Sequence, residues 1–209
     1  MATTILHLDS SPLGQASASR RLTADIVAAL RSAAPGARVL RRDLVAAPLG
    51  HLSGTTLQGW GAADLAALAP EARAEAELSE AVLAEFLAAD ILVVGAPMYN
   101  FSVPSQLKAW IDRVVRAGRS FRYSDKGPVG LATGKRAIIA SSRGGAYSGD
   151  AARQALDHQE AYLRTVLGFV GIADVAVVRA EGLAMGEAAR AAALAAAARD
   201  IAGLAPVAA

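Results

Sequence analysis

The feature of this sequence that most constrains its fold is a regular alternation between short apolar runs and longer amphipathic stretches. The apolar runs are typical of β-strands and cover residues 4–8, 38–44, 91–96, 136–141 and 175–178. The other stretches carry apolar residues on one helical face, over residues 17–33, 70–87, 103–115, 154–169 and 186–204. Such alternation predicts an α/β domain in which helices cover both faces of a parallel sheet.

Five strands connected in this way favour a doubly wound sheet with the flavodoxin strand order 2-1-3-4-5. No internal repeat, block of charge or linker divides the 209 residues, so we expect a single domain over residues 1–209. Two segments, residues 43–70 and 117–134, lack a clear period and are expected to be irregular. Irregular segments of this length in a compact domain are often functional.

Composition and hydropathy exclude several classes of protein. The sequence contains no cysteine, which excludes disulfides, iron–sulfur clusters and cysteine-based catalysis. Its 21 Lys and Arg residues nearly balance 19 Asp and Glu residues, so charge gives no reason to expect nucleic-acid binding. The apolar stretch of residues 91–98 is too short to cross a membrane, and the first residues lack the basic region of a secretion signal. We therefore expect a soluble, cytoplasmic protein that binds neither nucleic acid nor membrane.

Open α/β sheets bind ligands at the carboxyl ends of their strands, near the switch in strand order. After the first strand, residues 10–19 contain four serines and lead into a helix. Hydroxyl groups and free backbone N–H groups at a helix N-terminus form an anion site. An ordinary N-cap accounts for any one of these serines, but the set as a whole favours a phosphate.

Two further segments follow the third and fourth predicted strands. Residues 96–104 place Met98, Tyr99, Asn100 and Phe101 between two prolines, which offers both the apolar faces and the polar groups that a flavin ring needs. The alternative is a tight turn whose aromatic side chains pack in the core. Residues 141–147 contain a Gly-Gly pair that allows close approach of a flat ligand, or that forms a flexible loop.

Other kinds of site find no support. A dinucleotide fingerprint needs several glycines after the first strand, where only Gly14 stands. The histidines show no zinc-type spacing, and His158, beside Asp157 and Glu160, is expected on a solvated helix face. Ser142 lacks the Gly-x-Ser-x-Gly context of a hydrolase.

Taken together, these segments resemble those of the FMN-dependent NADH-azoreductases, also called FMN-dependent NADH:quinone oxidoreductases. The most specific matches are Met98-Tyr99-Asn100-Phe101 and Ser142-Arg143-Gly144-Gly145. Further matches in the same order are Gln106-Leu107-Lys108, Phe121-Arg122-Tyr123, Gly127-Pro128, Leu167-Gly168-Phe169 and Ala180-Glu181-Gly182. The resemblance covers most of the chain, although residues 43–70 match poorly.

The resemblance implies a homodimer with one FMN per subunit and two active sites at the interface. It places the FMN phosphate at Ser10, Ser17, Ala18 and Ser19, the flavin ring at Met98, Tyr99, Asn100 and Phe101, and its polar edge at Ser142, Arg143, Gly144 and Gly145. Family members often carry a glutamine where this chain has Ala18. A backbone N–H contact to phosphate survives that change, whereas a side-chain contact does not.

The resemblance also implies ping-pong hydride transfer, in which NADH or NADPH reduces FMN and leaves before a quinone or azo compound is reduced. The cofactor supplies the chemistry, so no catalytic nucleophile is expected. Candidate walls of the substrate pocket are Trp60, Phe121, Tyr123 and Phe169, whereas Trp110 lies on an apolar helix stripe and is expected to pack in the core. A flavodoxin-type electron carrier and an NAD(P)H-dependent reductase of free FMN are the alternatives.

Overall fold

The computed structural model describes residues 2–62 and 64–204. Its strands are β1 (Thr4–Asp9), β2 (Arg38–Asp43), β3 (Ile91–Pro97), β4 (Phe121–Ser124), β5 (Gly127–Gly130), β6 (Arg136–Ser142) and β7 (Asp174–Ala180). Its helices are α1 (Ala18–Ala33), α2 (Gly54–Gly61), α3 (Pro70–Ala88), α4 (Ser105–Val114), α5 (Ala151–Gln154), α6 (His158–Phe169) and α7 (Glu187–Ala202).

The central sheet has five parallel strands in the order β2-β1-β3-β6-β7. This is the predicted order 2-1-3-4-5, because β4 and β5 pair only with each other in a separate antiparallel hairpin. All seven residues of β3 are buried, which explains why this central strand reads as an unbroken apolar run. The outer strand β2 instead consists of exposed and half-buried residues.

Helices cover both faces of this sheet, as predicted. Side chains alternate between the two faces of a strand, so neighbouring residues such as Ile91 and Leu92 belong to two separate apolar clusters. On one face the strands contact residues of α3, α4 and α6, including the predicted core residue Trp110, which is 3% exposed. On the other face they contact α1 and α7. No helix within residues 2–62 and 64–204 combines the length and the hydropathy needed to cross a membrane.

Three expectations about secondary structure were wrong. Residues 43–70 contain α2 and a short 3-10 turn at Leu65–Ala67, and residues 117–134 contain the β4–β5 hairpin. Glycine and proline in these elements lower their intrinsic propensity, so packing on the rest of the domain decides their conformation. The helix expected over residues 154–169 begins only at His158, because Asp157 caps the N–H groups of Gln159 and Glu160, and the separate helix α5 ends at Gln154.

The β4–β5 hairpin is held close to the domain by a glycine contact. A Cβ atom added to Gly130 would lie 2.2 Å from the backbone nitrogen of Gly171, so only glycine permits this approach. The N–H of Ala132 then donates to the carbonyl oxygen of Val170 at 2.8 Å. The hairpin therefore has a fixed position beside the C-terminal end of α6.

Candidate active site

The carboxyl ends of β1, β3 and β6 meet the N-terminus of α1 around a cavity of about 260 Å³. Seven of the predicted cofactor residues line it, namely Ser17, Ala18, Met98, Tyr99, Ser142, Arg143 and Gly144. The other wall residues include Ser11, Leu13, Pro97, Leu183, Ala184 and Arg190. Three sequence segments that are far apart in the chain are therefore brought together, as the rule for parallel sheets predicts.

The serines after β1 divide into two groups. Ser17 is the N-cap of α1 and accepts a hydrogen bond from the N–H of Arg20 at 3.3 Å. Ala18 is the first residue of the helix, where backbone N–H groups have no partner within the helix. Ser10 and Ser19 are fully buried: the Ser10 hydroxyl donates to the carbonyl oxygen of Gly95, and the Ser19 hydroxyl lies 3.1 Å from that of Ser17. Ser17 and Ala18 thus face the cavity, while Ser10 and Ser19 fix the loop behind it.

The loop after β1 is also held by an arginine. The Arg20 guanidinium donates to the carbonyl oxygen of Ser11 at 2.9 and 3.0 Å and to both carboxylate oxygens of Asp43 at 2.5 and 2.8 Å. The hydrogen bond from Arg20 is the main reason why the pKa of Asp43 lies well below its usual range. The ion pair joins the cavity loop to the end of β2.

The segment after β3 forms a tight turn with an unusual backbone. The N–H and carbonyl groups of Tyr99 and Ser102 bond to each other at 3.0 Å, and the two residues between them, Asn100 and Phe101, have φ values of 47° and 70°. Positive φ is tolerated by asparagine but is strained for phenylalanine. The carbonyl oxygen of Phe101 accepts a hydrogen bond from the N–H of His158 at 3.1 Å, so the start of α6 holds the turn in place.

Neither Asn100 nor Phe101 lines the 260 Å³ cavity. Phe101 is 45% exposed, and its ring stands edge-on to Tyr147 at a centroid distance of 6.5 Å. Tyr99 lies between this cavity and a second one of about 610 Å³, whose wall includes Asn100, Pro104 and Tyr162. The Tyr99 hydroxyl is buried and has no hydrogen-bond partner among the residues described.

The segment after β6 rests on a buried polar network. The Arg143 side chain is 1% exposed and forms ion pairs with Asp157, at 2.9 Å, and with Glu160. Its Nε atom donates to the Ser141 hydroxyl at 3.2 Å, and that hydroxyl donates to Gln159 Oε1 at 3.1 Å. The guanidinium is therefore neutralised inside the protein. His158 is exposed, as expected, but its neighbour Glu160 is 6% exposed and belongs to the buried network.

The network reaches the other side of the cavity through Gln159, whose Nε2 donates to the carbonyl oxygen of Ala96 at 2.5 Å. Ala96 belongs to β3, and Ser141 and Arg143 lie at the end of β6. The first turn of α6 thus sets the spacing between two of the three segments that surround the cavity. A shift of α6 would move both.

Sequence reasoning missed the segment after β7. The N–H groups of Gly182, Leu183 and Ala184 donate to the carbonyl oxygens of Gly145, Arg143 and Gly144 at 2.8 to 3.1 Å. Gly145 does not line the cavity, but its carbonyl oxygen accepts one of these three backbone hydrogen bonds. This segment follows the fifth strand of the sheet, whose carboxyl end lies at the same edge as those of the first, third and fourth strands.

Glu181 fixes the outer part of the loop that follows β6. Burial opposes its ionisation, but hydrogen bonds from the Ser148 hydroxyl and from the N–H groups of Tyr147 and Ser148 outweigh that effect and hold the pKa of Glu181 below its usual range. A carboxylate that accepts several hydrogen bonds from one loop keeps that loop in a single conformation.

The four aromatic residues expected in the pocket wall do not line this cavity in the single chain. Phe121 contacts Tyr123 and Phe169, with ring centroids 5.4 and 4.6 Å away. This aromatic cluster is open to solvent, since Tyr123 is 73% and Phe169 37% exposed. Trp60 lies elsewhere, with its ring 4.9 Å from the guanidinium carbon of Arg116.

The cavity has the chemistry that FMN requires. Apolar side chains of Leu13, Met98 and Leu183 line it, and among the residues described no carboxylate does. A helix N-terminus with unpaired N–H groups provides for a phosphate, and the orphaned hydroxyl of Tyr99 is available to a polar ligand atom. The residues present therefore fit FMN.

Comparisons with known proteins agree with this geometry. A family model described as "flavodoxin-like fold" matches residues 3–204. A protein of Azospirillum brasilense named FMN-dependent NADH:quinone oxidoreductase is 61% identical over 206 residues, which cover 98% of this chain and 99% of that protein. A protein of the same name from Polaromonas naphthalenivorans is 57% identical over 197 residues, covering 94% of this chain and 91% of that one.

The crystal structure of an azoreductase from Bacillus anthracis matches with a TM-score of 0.86 and 26% identity, over 97% of this chain and 98% of that one. Fold, cavity and sequence thus agree, and the chain belongs to the flavodoxin-like family, within the group whose members are named FMN-dependent NADH:quinone oxidoreductases.

Proposed function

We propose that this protein is an FMN-dependent NADH:quinone oxidoreductase that also reduces azo compounds. The observation that carries the proposal is the cavity at the ends of β1, β3 and β6, which joins a helix N-terminus to an apolar wall that contains no carboxylate from residues 2–62 and 64–204. The relatives named FMN-dependent NADH:quinone oxidoreductase support the quinone as acceptor, and the azoreductase of the same fold supports the azo compound.

Each segment around the cavity has a distinct task in this proposal. Ser17 and the N–H of Ala18 bind the phosphate, while Ser10 and Ser19 hold the loop that presents them. The turn of residues 98–101 supports the flavin ring. Residues 142–145 meet the polar edge of the ring through their backbone, because the Arg143 guanidinium is already occupied by Glu160 and Asp157.

The bound FMN would supply the two-electron chemistry between NADH and the acceptor. The chain's own residues bind and orient it and exclude water from its inner face. Backbone N–H groups of residues 142–145 would stabilise negative charge on the polar edge of the ring. The buried network beneath Arg143 keeps those groups at a constant spacing, so no reorganisation is needed during turnover.

We further propose a homodimer in which each active site uses residues of both subunits. In the aromatic cluster of Phe121, Tyr123 and Phe169, Phe121 is buried, the other two rings are exposed, and the cluster lies outside the cavity of its own chain. A second subunit can bring its copy of that cluster to the exposed ring of Phe101 and to the 610 Å³ cavity beside Tyr99. Light scattering at several protein concentrations tests this proposal, which fails if the FMN-loaded protein is a monomer.

We also propose a cytoplasmic location, where NADH is available to the enzyme.

The decisive experiment is anaerobic stopped-flow reduction of the FMN-loaded protein by NADH, and separately by NADPH, followed by addition of a benzoquinone. We expect the flavin absorbance to bleach in one two-electron phase and to return rapidly with the quinone. Reduction without reoxidation by the quinone would contradict the proposed acceptor. Accumulation of a stable one-electron form, or no reduction by either nicotinamide, would instead favour a flavodoxin-type electron carrier.

Two matched serine variants test the site itself. Ser17 and Ser53 are both N-caps that accept a hydrogen bond from the N–H three residues later, at 3.3 and 3.2 Å. We expect Ser17→Ala and Ser53→Ala each to lower the free energy of unfolding by about 1 kcal/mol. Only Ser17→Ala should weaken FMN binding in a fluorescence titration. Equal FMN affinity in the two variants would remove Ser17 from the phosphate site.

A further inference from the structure

The arginines around the cofactor cavity differ in whether their charge is already neutralised. Two arginines line the cavity, Arg143 and Arg190. Arg143 is buried and paired with Glu160 and Asp157. Arg190 is exposed, and within residues 2–62 and 64–204 its side chain has neither an ion pair nor a hydrogen bond. Arg190 is therefore the cavity arginine whose charge is available to a ligand.

The position of Arg190 is fixed by the backbone around it. It lies in the first turn of α7, and its N–H donates to the carbonyl oxygen of Gly186 at 3.0 Å. The residues just before this helix, Leu183 and Ala184, line the same cavity and bond to the backbone of residues 143 and 144. The helix is further anchored by Ala197 and Ile201, which pack in the cluster that contains α1. Arg190 thus stands on a rigid element that is tied to the cofactor site.

The proposed ligand carries a charge that the rest of the cavity does not balance. A phosphate monoester has a charge of about −1.5 to −2 at neutral pH, whereas a helix N-terminus contributes roughly +0.5. The loop of residues 10–19, which leads into α1, contains no Lys or Arg.

We propose that Arg190 binds the phosphate of FMN and supplies the positive charge that the loop after β1 lacks. The inference rests on the proposed function, because it assumes that FMN occupies the cavity. A guanidinium presents paired N–H donors that match two phosphate oxygens. The phosphate would then lie between the N–H groups at the start of α1 and the first turn of α7.

The test compares FMN with riboflavin, which has the same ring and lacks the phosphate. Dissociation constants are measured by flavin fluorescence quenching for the wild type, Arg190→Gln, Arg190→Lys and the control Arg199→Gln. Arg199 lies on the same helix, exposed, and outside the cavity. We expect Arg190→Gln to weaken FMN binding about 10- to 150-fold, as for a hydrogen bond to a charged group, and to leave riboflavin binding unchanged. Arg190→Lys should retain part of the FMN affinity, and Arg199→Gln all of it.

Salt provides a second readout. Because screening acts on charge pairs that solvent reaches, the FMN affinity of the wild type should fall more steeply with added NaCl than that of Arg190→Gln. Equal losses of FMN and riboflavin affinity would show that Arg190 only shapes the fold, and an unchanged FMN affinity would overturn its role. If the wild type itself bound no FMN, the proposed function would fail first, so the two failures are distinguishable.

Discussion

Phe101 has a backbone conformation that its side chain disfavours, in a turn that borders the candidate active site. A residue with a Cβ loses roughly 1–2 kcal/mol in the left-handed region, and glycine does not. Strain that persists beside a binding site indicates a functional demand on the side chain. The exposed ring of Phe101 is therefore better explained by contact with a ligand or a partner subunit than by stability.

Two substitutions separate the backbone strain at Phe101 from the loss of its ring. Phe101→Gly and Phe101→Ala both remove the ring, but only glycine relieves the strain. We expect Phe101→Gly to be more stable than Phe101→Ala by about 1 kcal/mol in urea unfolding, with both variants weaker in quinone reduction. An alanine variant as stable as the glycine variant would show that the positive φ of 70° is not costly here.

At the residue scale, the sequence predicts which residues gather at the cavity but not the orientation or the hydrogen-bond partners of their side chains. The position of the four serines in residues 10–19 predicts a helix cap or a phosphate site, and the family resemblance assigns Ser17 to the phosphate. The inward orientation of Arg143 could not be predicted, because Glu160 lies 17 positions away and follows polar neighbours that resemble a solvated face. Long-range charge pairing inside the core leaves no local pattern in the sequence.

At the scale of secondary structure elements, α2 shows how tertiary contact decides conformation. The three glycines in this eight-residue helix predict poor helicity. One of them, Gly59, lies directly on α3: an added Cβ would be 2.7 Å from the Cβ of Ala76. The buried Arg113 of α4 holds the chain before α2, donating to the carbonyl oxygen of Gly50 at 3.2 Å. Elements with a clear apolar pattern, such as the helical stripe of α1 and the unbroken run of β3, could be predicted from the sequence without knowledge of such contacts.

Gly59→Ala is expected to destabilise the protein although alanine favours helices. The methyl group would overlap with Ala76, and overpacking of this kind typically costs about 1–3 kcal/mol. Gly54, in the first turn of the same helix, has open space around it, so Gly54→Ala should be neutral or slightly stabilising. Thermal unfolding of both variants measures the difference. A Gly59→Ala variant as stable as Gly54→Ala would mean that α2 can move away from α3.

At the scale of the whole molecule, ion pairs between elements join the sheet to its loops. Arg20 joins the loop after β1 to Asp43, and Arg116 and Arg119 join the segment after α4 to Glu80 of α3. Hydrogen bonds from Arg20 lower the pKa of Asp43. Burial opposes ionisation of Glu80, but hydrogen bonds from Arg116 and Arg119 lower its pKa overall. Each carboxylate is therefore more acidic in the folded than in the unfolded state.

Acid is expected to destabilise the fold through these carboxylates. Their contribution to the free energy of unfolding is fully present at pH values above the ordinary pKa values, which are 3.8 for Asp and 4.5 for Glu. It is lost as the pH falls through that range towards the lowered folded-state values. Urea unfolding between pH 7 and pH 3 should show a stability that is nearly constant at first and declines below about pH 4.5. An unfolding free energy that stays constant to pH 3 would contradict this view of the ion pairs.

The two outer strands of the sheet limit how copies of this chain can associate. The edge strand β2 exposes Arg38 and Arg41, and the opposite edge, β7, exposes Asp174 and Arg179. Charged side chains at an edge oppose the addition of another strand. Open-ended assembly, in which the sheets of further copies pair edge to edge, is therefore disfavoured at both edges. In the dimer proposed above, two molecules would meet through the loops at the carboxyl ends of the strands and form a closed pair, which would leave no surface on which a third copy could continue the assembly.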